Sequence, residues 1–319
     1  MGSTGVLLTA FGGPDSIEAC GPFMRNLTGR EPSPEMLERV RNRYLAIGGA
    51  SPLPEIARNI ADALSERFDG EVPVVVGMRY WHPYIADAMS ALKEAGVTRV
   101  VAVSLSPFES RVSSGAYREA VEEAAAALGG LEVIETGPLG ETDTFADVLA
   151  AACRDAMKEL AQAGCTRPLV LFSAHSLPVA ELVEDDPYVA GLYRAVEEIA
   201  AGLGMGSPGV VDLGGITLTG SEDGPVTWVF AYQSKGNRPG EWLGPLVEDV
   251  AAAAAEAGFD GIASCPVGFL TDHMETKYDL DVELADAVLL SGMEFFRADV
   301  PNDSLEMVSA IADCVRPYL

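Results

Sequence analysis

The chain has 319 residues, of which 48% are hydrophobic, which is enough for two ordinary domains with substantial cores and argues against disorder. Its 48 acidic and 21 basic residues leave a formal charge of −27, a field that repels nucleic acid and anionic lipid alike. No apolar run reaches the ~18 to 20 residues that span a bilayer, which excludes a membrane-inserted helix.

The first apolar run starts within a few residues of Met1, leaving no room for a secretory leader, so the sequence is read as cytoplasmic. The five cysteines, at 20, 153, 165, 265 and 314, contain no CxxC pair and read as reduced, mostly buried thiols.

In chain order, β-rich apolar runs at 6–10, 72–77, 99–105, 131–135, 169–174, 226–232, 261–265 and 294–297 alternate with helical patterns. Runs this continuous predict parallel strands covered on both faces, an α/β fold of two Rossmann-like halves. "VLLTAFGGP" at 6–14 and "LVLFSAHSLP" at 169–178 align at an offset of 164, pairing Val6 with Val170, Ala10 with Ala174, Phe11 with His175 and Pro14 with Pro178. "YIADAMSALKEAGVTRVVAV" from Tyr84 and "LVEDVAAAAAEAGFDGIASC" from Leu246 align at 162, pairing Asp87 with Asp249 and Glu94 with Glu256. Two segments at nearly one offset predict duplicated halves, 1–150 and 151–303. A final helix, in 304–319, is expected to return to the first half.

Ligands in open α/β sheets bind beyond the carboxyl ends of the strands, where Phe11 and His175 both fall. Histidine is scarce, occurring at 82, 175 and 273. His175 reads either as a structural imidazole bonded to a carbonyl or as a proton acceptor and metal ligand. In "DHMETKYDLDVELADA", from Asp272, the four-residue spacing predicts Glu275, Asp279 and Glu283 one turn apart on one helix face. Such a line is either a solvated acidic face or a path for a hydrated cation or departing protons. His82, before Pro83, reads as a packing residue, and His273 as a partner that orients Glu275. Five of the 21 basic residues crowd between Arg25 and Arg43, a local cationic cluster suited to carboxylates or phosphates. No GxGxxG follows any of the predicted strands, which disfavours nicotinamide or ATP chemistry.

Five ordered blocks, "LLTAFGGPDSIEA", "GMRYWHPYIADA", "FSAHSLP", "YQSKGNRPGEWLGP" and "PVGFLTDHMETKYDLD", give the chain a resemblance to ferrochelatases along nearly its whole length. "REPSPEMLERVRNRYLAIGGASPL" and "GNRPGEWLGP" resemble the branch that acts on coproporphyrin III. The resemblance implies the chelatase fold and a lyase that inserts ferrous iron, as substrate, into a porphyrin. It places His175 and Glu275 as catalytic and metal-binding residues, Asp279 and Glu283 on the metal or proton path, and Phe11, Arg43, Tyr44, Ser51 and Tyr117 against the porphyrin. It further implies a monomer with no resident prosthetic group and no membrane insertion. The alternatives are action on protoporphyrin IX, on another metal or tetrapyrrole, or non-catalytic porphyrin carriage. Three departures stand out: only Cys314 lies near the C-terminus, so no iron–sulfur cluster is expected. Phe11 stands where the coproporphyrin branch often has tyrosine, and the Gly-rich stretch 204–225 is longer than the family's usual connection.

Overall fold

The computed structural model describes residues 3–319. The chain divides into two compact units, one comprising the residues up to Thr142 with Thr271–Met274 and Asn302–Leu319, the other Asp143–Leu270 with Glu275–Pro301. The division at Thr142 lies at the start of a twenty-residue helix, so position 150 falls inside a helix.

The first unit runs β1 (Ser3–Ala10), α1 (Cys20–Thr28), α2 (Pro34–Ala46), α3 (Leu53–Arg67), β2 (Val74–Met78), α4 (Ile85–Glu94), β3 (Val97–Ser104), α5 (Ser114–Leu128) and β4 (Glu132–Glu135). Its strands are parallel in the order β2-β1-β3-β4. Because side chains alternate across a strand, Leu7 faces α4 and α5, where Met89, Leu92 and Val121, with Val100 of β3, close a buried core. Each such fully buried aliphatic side chain contributes about 2 kcal/mol relative to exposure. Ser33 begins α2 by accepting from the Met36 N–H at 3.2 Å, with Pro34 in the first turn, where no donor is lost.

The second unit runs α6 (Asp143–Gln162), β5 (Pro168–His175), α7 (Pro187–Gly202), β6 (Gly209–Leu213), β7 (Ile216–Ser221), β8 (Thr227–Gln233), α8 (Val247–Glu256), β9 (Gly261–Cys265), α9 (Met274–Lys277), a π-helical stretch Asp279–Leu284, α10 (Ala285–Leu290) and β10 (Glu294–Arg297). The chain then ends in α11 (Leu305–Val315), which packs on α3 within the first unit. Asn59 donates to Asp303 at 2.8 Å and Arg67 to Ser309 at 2.7 Å, fixing that contact.

The six strands of the second unit lie in the order β10-β9-β5-β8-β7-β6. Four are parallel, and β8-β5-β9-β10 repeats the β2-β1-β3-β4 order of the first unit, with β5 in the place of β1. That repeat of topology is the physical content of the sequence offset between Phe11 and His175.

The eight expected strands all pair in parallel with one another, but the second sheet carries two further strands at its far edge, β6 and β7, and β7 pairs antiparallel with both β6 and β8. Strands β6 and β7 fall within the Gly-rich stretch 204–225. Asp212 accepts from the Gly215 N–H at 3.0 Å, and Gly214 and Gly215 carry the positive φ angles that the tight reversal requires. The Gly-Gly pair is thus the signal of a hairpin that hydrophobic run length alone does not reveal. The cysteines are free, and Cys20, Cys153 and Cys265 are buried.

Candidate active site

His175 is the last residue of β5, in register with Gln233 at the end of β8. The loop after β9 is held against this strand end because Gly268 lacks a side chain: a Cβ there would lie 2.6 Å from the Ala174 Cβ. The Gly268 N–H instead reaches the Ser173 carbonyl at 3.1 Å. Tyr188, second residue of α7, donates its hydroxyl to the His175 carbonyl at 2.9 Å. Burial drives the Tyr188 pKa well above its usual value, so it remains a neutral donor.

The imidazole has two distinct faces. Nδ1 lies 2.5 Å from the Ser176 carbonyl, which can only accept, so Nδ1 carries the proton of the neutral ring. Nε2 faces the Glu275 carboxylate at 3.2 Å and is the nitrogen left to take a proton or a metal ion. Burial opposes the imidazolium, but the Glu275 charge and hydrogen bond, the Ser176 carbonyl and the Asp279 charge outweigh it, and the His175 pKa stands above its ordinary value.

The sign of that shift gives a test. A raised folded pKa means that the imidazolium's contribution to stability is complete below the unfolded value of 6.5 and is lost as pH rises through the folded value. Replacing Glu275 by Gln removes the largest favourable cause and leaves burial in place. NMR titration should therefore find the His175 midpoint above 6.5 in the wild type and lower in Glu275→Gln. A midpoint that the substitution leaves unmoved contradicts the pairing.

Glu275 sits on α9, whose start is tied down from β8. The buried Gln233 side chain donates from Nε2 to the Glu275 carbonyl at 2.8 Å and accepts at Oε1 from Ser173 at 2.7 Å. The expectation of Glu275, Asp279 and Glu283 along one regular α-helix is corrected here. Asp279 and Glu283 fall in the π-helical stretch, where the Glu283 N–H bonds to the Tyr278 carbonyl five residues back, at 2.9 Å. Side-chain anchors from outside the stretch accompany the widened register. Ser234 donates to Asp279 at 2.6 Å, and Arg297 of β10 grips Asp281 at 2.5 and 3.2 Å. Asp279 is buried and Glu283 exposed, with the Glu283 charge helping to raise the pKa of Glu248 behind burial as the main cause. The acids therefore run from beside the imidazole to the surface of their unit.

Of the residues expected against a ligand in the first unit, Phe11 follows β1 and packs against Tyr80 with ring centroids 4.8 Å apart and planes tilted by 59°. Ser51 is brought against the same loop: its N–H reaches the Pro14 carbonyl at 2.8 Å, and a Cβ on Gly13 would lie 2.4 Å from its Oγ. Arg43 and Tyr44 lie in the last turn of α2, and the Tyr44 carbonyl accepts from the Gly49 N–H at 2.8 Å, turning the chain toward Ser51. Tyr117 belongs to the α4–α5 core at 4% exposure, and Tyr44 is likewise buried, so both rings are framework as well as candidate contacts. His82 packs edge-on between Trp81 and Tyr84, as a packing residue. His273 falls in Thr271–Met274, within the first unit, whereas Glu275 is paired with His175 in the second.

The model of the ferrochelatase family matches residues 3–319. This chain belongs to the ferrochelatase family. Among curated ferrochelatases, that of Herpetosiphon aurantiacus is 31% identical over 318 residues, covering 98% of each chain. The coproporphyrin III ferrochelatase of Halalkalibacterium halodurans is 30% identical over 322 residues, covering 99% of this chain and 97% of that one. A solved structure, SirB from Bacillus subtilis with Fe3+, superposes with a TM-score of 0.55 at 14% identity over 98% of this chain and 94% of that one, a likeness of fold. Ferrochelatase membership carries metal insertion into a porphyrin, with porphyrin and iron as substrates. No helix among the described residues is long and apolar enough to cross a membrane.

Tyr188, Gln233, Ser234, Arg297 and Asp281, which hold the site's side chains and their backbone, escaped the sequence reading. A glutamine and a serine closing the apolar run "TWVFAYQS" are a signal that could have singled out two of them.

Proposed function

We propose that the chain is a coproporphyrin III ferrochelatase, a lyase that exchanges the two pyrrole N–H protons of the free ring for Fe2+. The observation that carries the site assignment is the His175 Nε2 contact with Glu275 at 3.2 Å, with Nδ1 committed to Ser176. An imidazole and a carboxylate in contact supply a proton acceptor and borderline nitrogen and hard oxygen donors suited to a first-row dication. His175 and Glu275 take the two protons and receive the iron, while Asp279 and Glu283 carry hydrated metal inward or protons outward. Phe11, which has no lone pair, packs on the ring, an aromatic contact of about 0.5 to 1.5 kcal/mol beyond burial. Arg43, Tyr44, Ser51 and Tyr117 bind the ring and its propionates. The protein works as a monomer without a resident prosthetic group. A cysteine-held cluster is disfavoured because the C-terminal hundred or so residues offer just Cys265 and Cys314, widely spaced.

The coproporphyrin reading is supported by the blocks around Arg43 and "GNRPGEWLGP" and by relatives of that name. Coproporphyrin III carries more propionates than protoporphyrin IX, and each additional desolvated charge-assisted bond is worth roughly 1.5 to 3 kcal/mol, or at least about tenfold. Anaerobic spectrophotometry with ferrous iron should thus give a kcat/KM at least about tenfold higher for coproporphyrin III. Equal or reversed values remove the substrate assignment and leave the family standing.

A further inference from the structure

Four non-glycine residues among those described adopt a positive φ: Asp69, Asp185, Asn302 and Ser234. Aspartate and asparagine tolerate the left-handed region by bonding to their own backbone, but serine at φ 59° is held where glycine would rest more easily. A residue kept in a disfavoured conformation directs attention to what its side chain does. Here the hydroxyl is fully committed. Gln233 is oriented without ambiguity, because its Oε1 accepts from Ser173 and its Nε2 donates to the Glu275 carbonyl. The same Nε2 points at Ser234 Oγ from 3.4 Å, so that oxygen is an acceptor toward Gln233 and its single proton goes to Asp279 Oδ2 at 2.6 Å. That separation is typical of an O–H donor on an ionised carboxylate.

We propose that Ser234 is a positioning residue: through the chain Ser173–Gln233–Ser234–Asp279 it fixes the middle carboxylate of the acid line relative to Glu275, and so sets how the protein takes up the metal ion. The same Gln233 amide that anchors the α9 backbone orients the Ser234 hydroxyl, which couples the placement of both acids. This rests on the reading of Asp279 as part of the metal path.

The substitution Ser234→Gly separates backbone from hydroxyl, since it relieves the left-handed conformation while deleting the donor. The full-length variant should remain folded, because relief of the left-handed backbone offsets part of the lost hydrogen bond. Its KM for ferrous iron should rise about tenfold, the lower range for loss of a residue that orients a metal ligand, with KM for porphyrin and kcat at saturating iron retained. Without porphyrin, its Kd for Co2+ should weaken by a similar factor. Ser234→Asn, which tolerates left-handed backbone and carries an amide donor, should bring both values back toward wild type. Unchanged iron KM and Co2+ Kd in Ser234→Gly overturn the proposal, as does an equal loss on both substrates or no recovery in Ser234→Asn. If the wild type metallates no porphyrin, the activity reading fails while the Co2+ titration still decides Ser234. A wild type that binds no Co2+ overturns the role outright.

Discussion

Replacing His175 by alanine should lower kcat for iron insertion by at least about 100-fold, the range for loss of a positioned proton acceptor, while porphyrin still binds. The expectation follows from the division of labour at the imidazole. Nδ1 is committed to a carbonyl, so the reactive capacity is at Nε2, and alanine removes it without disturbing the buried β5 backbone that Tyr188 holds. Glu275→Gln should act similarly, because the amide keeps the shape and loses the charge that faces Nε2. If the two act as a unit, the double variant is little worse than either single one. Asp279→Asn and Glu283→Gln should be milder and fall mainly on the iron dependence. Stopped anaerobic assays with porphyrin binding followed separately by absorbance check all five variants. Substantial turnover in His175→Ala, with the fold intact, refutes the assignment.

The second large effect is on stability. The Arg297 side chain is 7% exposed and gives Asp281 two hydrogen bonds, whereas Lys277, at 38% exposure, reaches the same carboxylate from the surface at 2.7 Å. Breaking a buried pair leaves an under-compensated charge in a medium of low polarisability, at a cost of about 3 kcal/mol; an exposed pair four residues apart contributes about 0.5 kcal/mol or less. Asp281→Ala should therefore lose about 3 kcal/mol in urea unfolding and Lys277→Ala about 0.5 kcal/mol or less. Similar losses in the two variants would falsify the claim that the Arg297 contact anchors the π-helical stretch. Since Asp279 and Glu283 flank Asp281 in that stretch, Asp281→Ala should also raise the KM for iron.

These effects separate what each level of organisation contributes. Apolar run length and flanking turn chemistry were enough to place β1 and β5 and the strands beside them, because a buried parallel strand must be continuously apolar. The offset linking Phe11 to His175 was legible for the same reason: two strands under the same burial constraint retain the same pattern, and the sheet order bears this out in β2-β1-β3-β4 and β8-β5-β9-β10. His175 could be singled out because a histidine ending such a run is an exception to that pattern.

Tertiary structure alone decided the rest. The hairpin β6–β7 was missed because its strands are half-exposed and lack a continuous apolar run, so the pairing of β7 with β8 supplies the order that their own pattern does not. The acid line was legible as a spacing but its register was not. A four-residue repeat dictates a helix face only while the helix is regular, and here Ser234 and Arg297, 45 and 16 residues away from their carboxylate partners, hold the backbone in a π turn. Polar side chains such as Gln233 and Tyr188 carry no periodicity of their own. Their importance comes from which carbonyl or carboxylate the fold sets within 3 Å of them, a distance fixed by packing and not by sequence order.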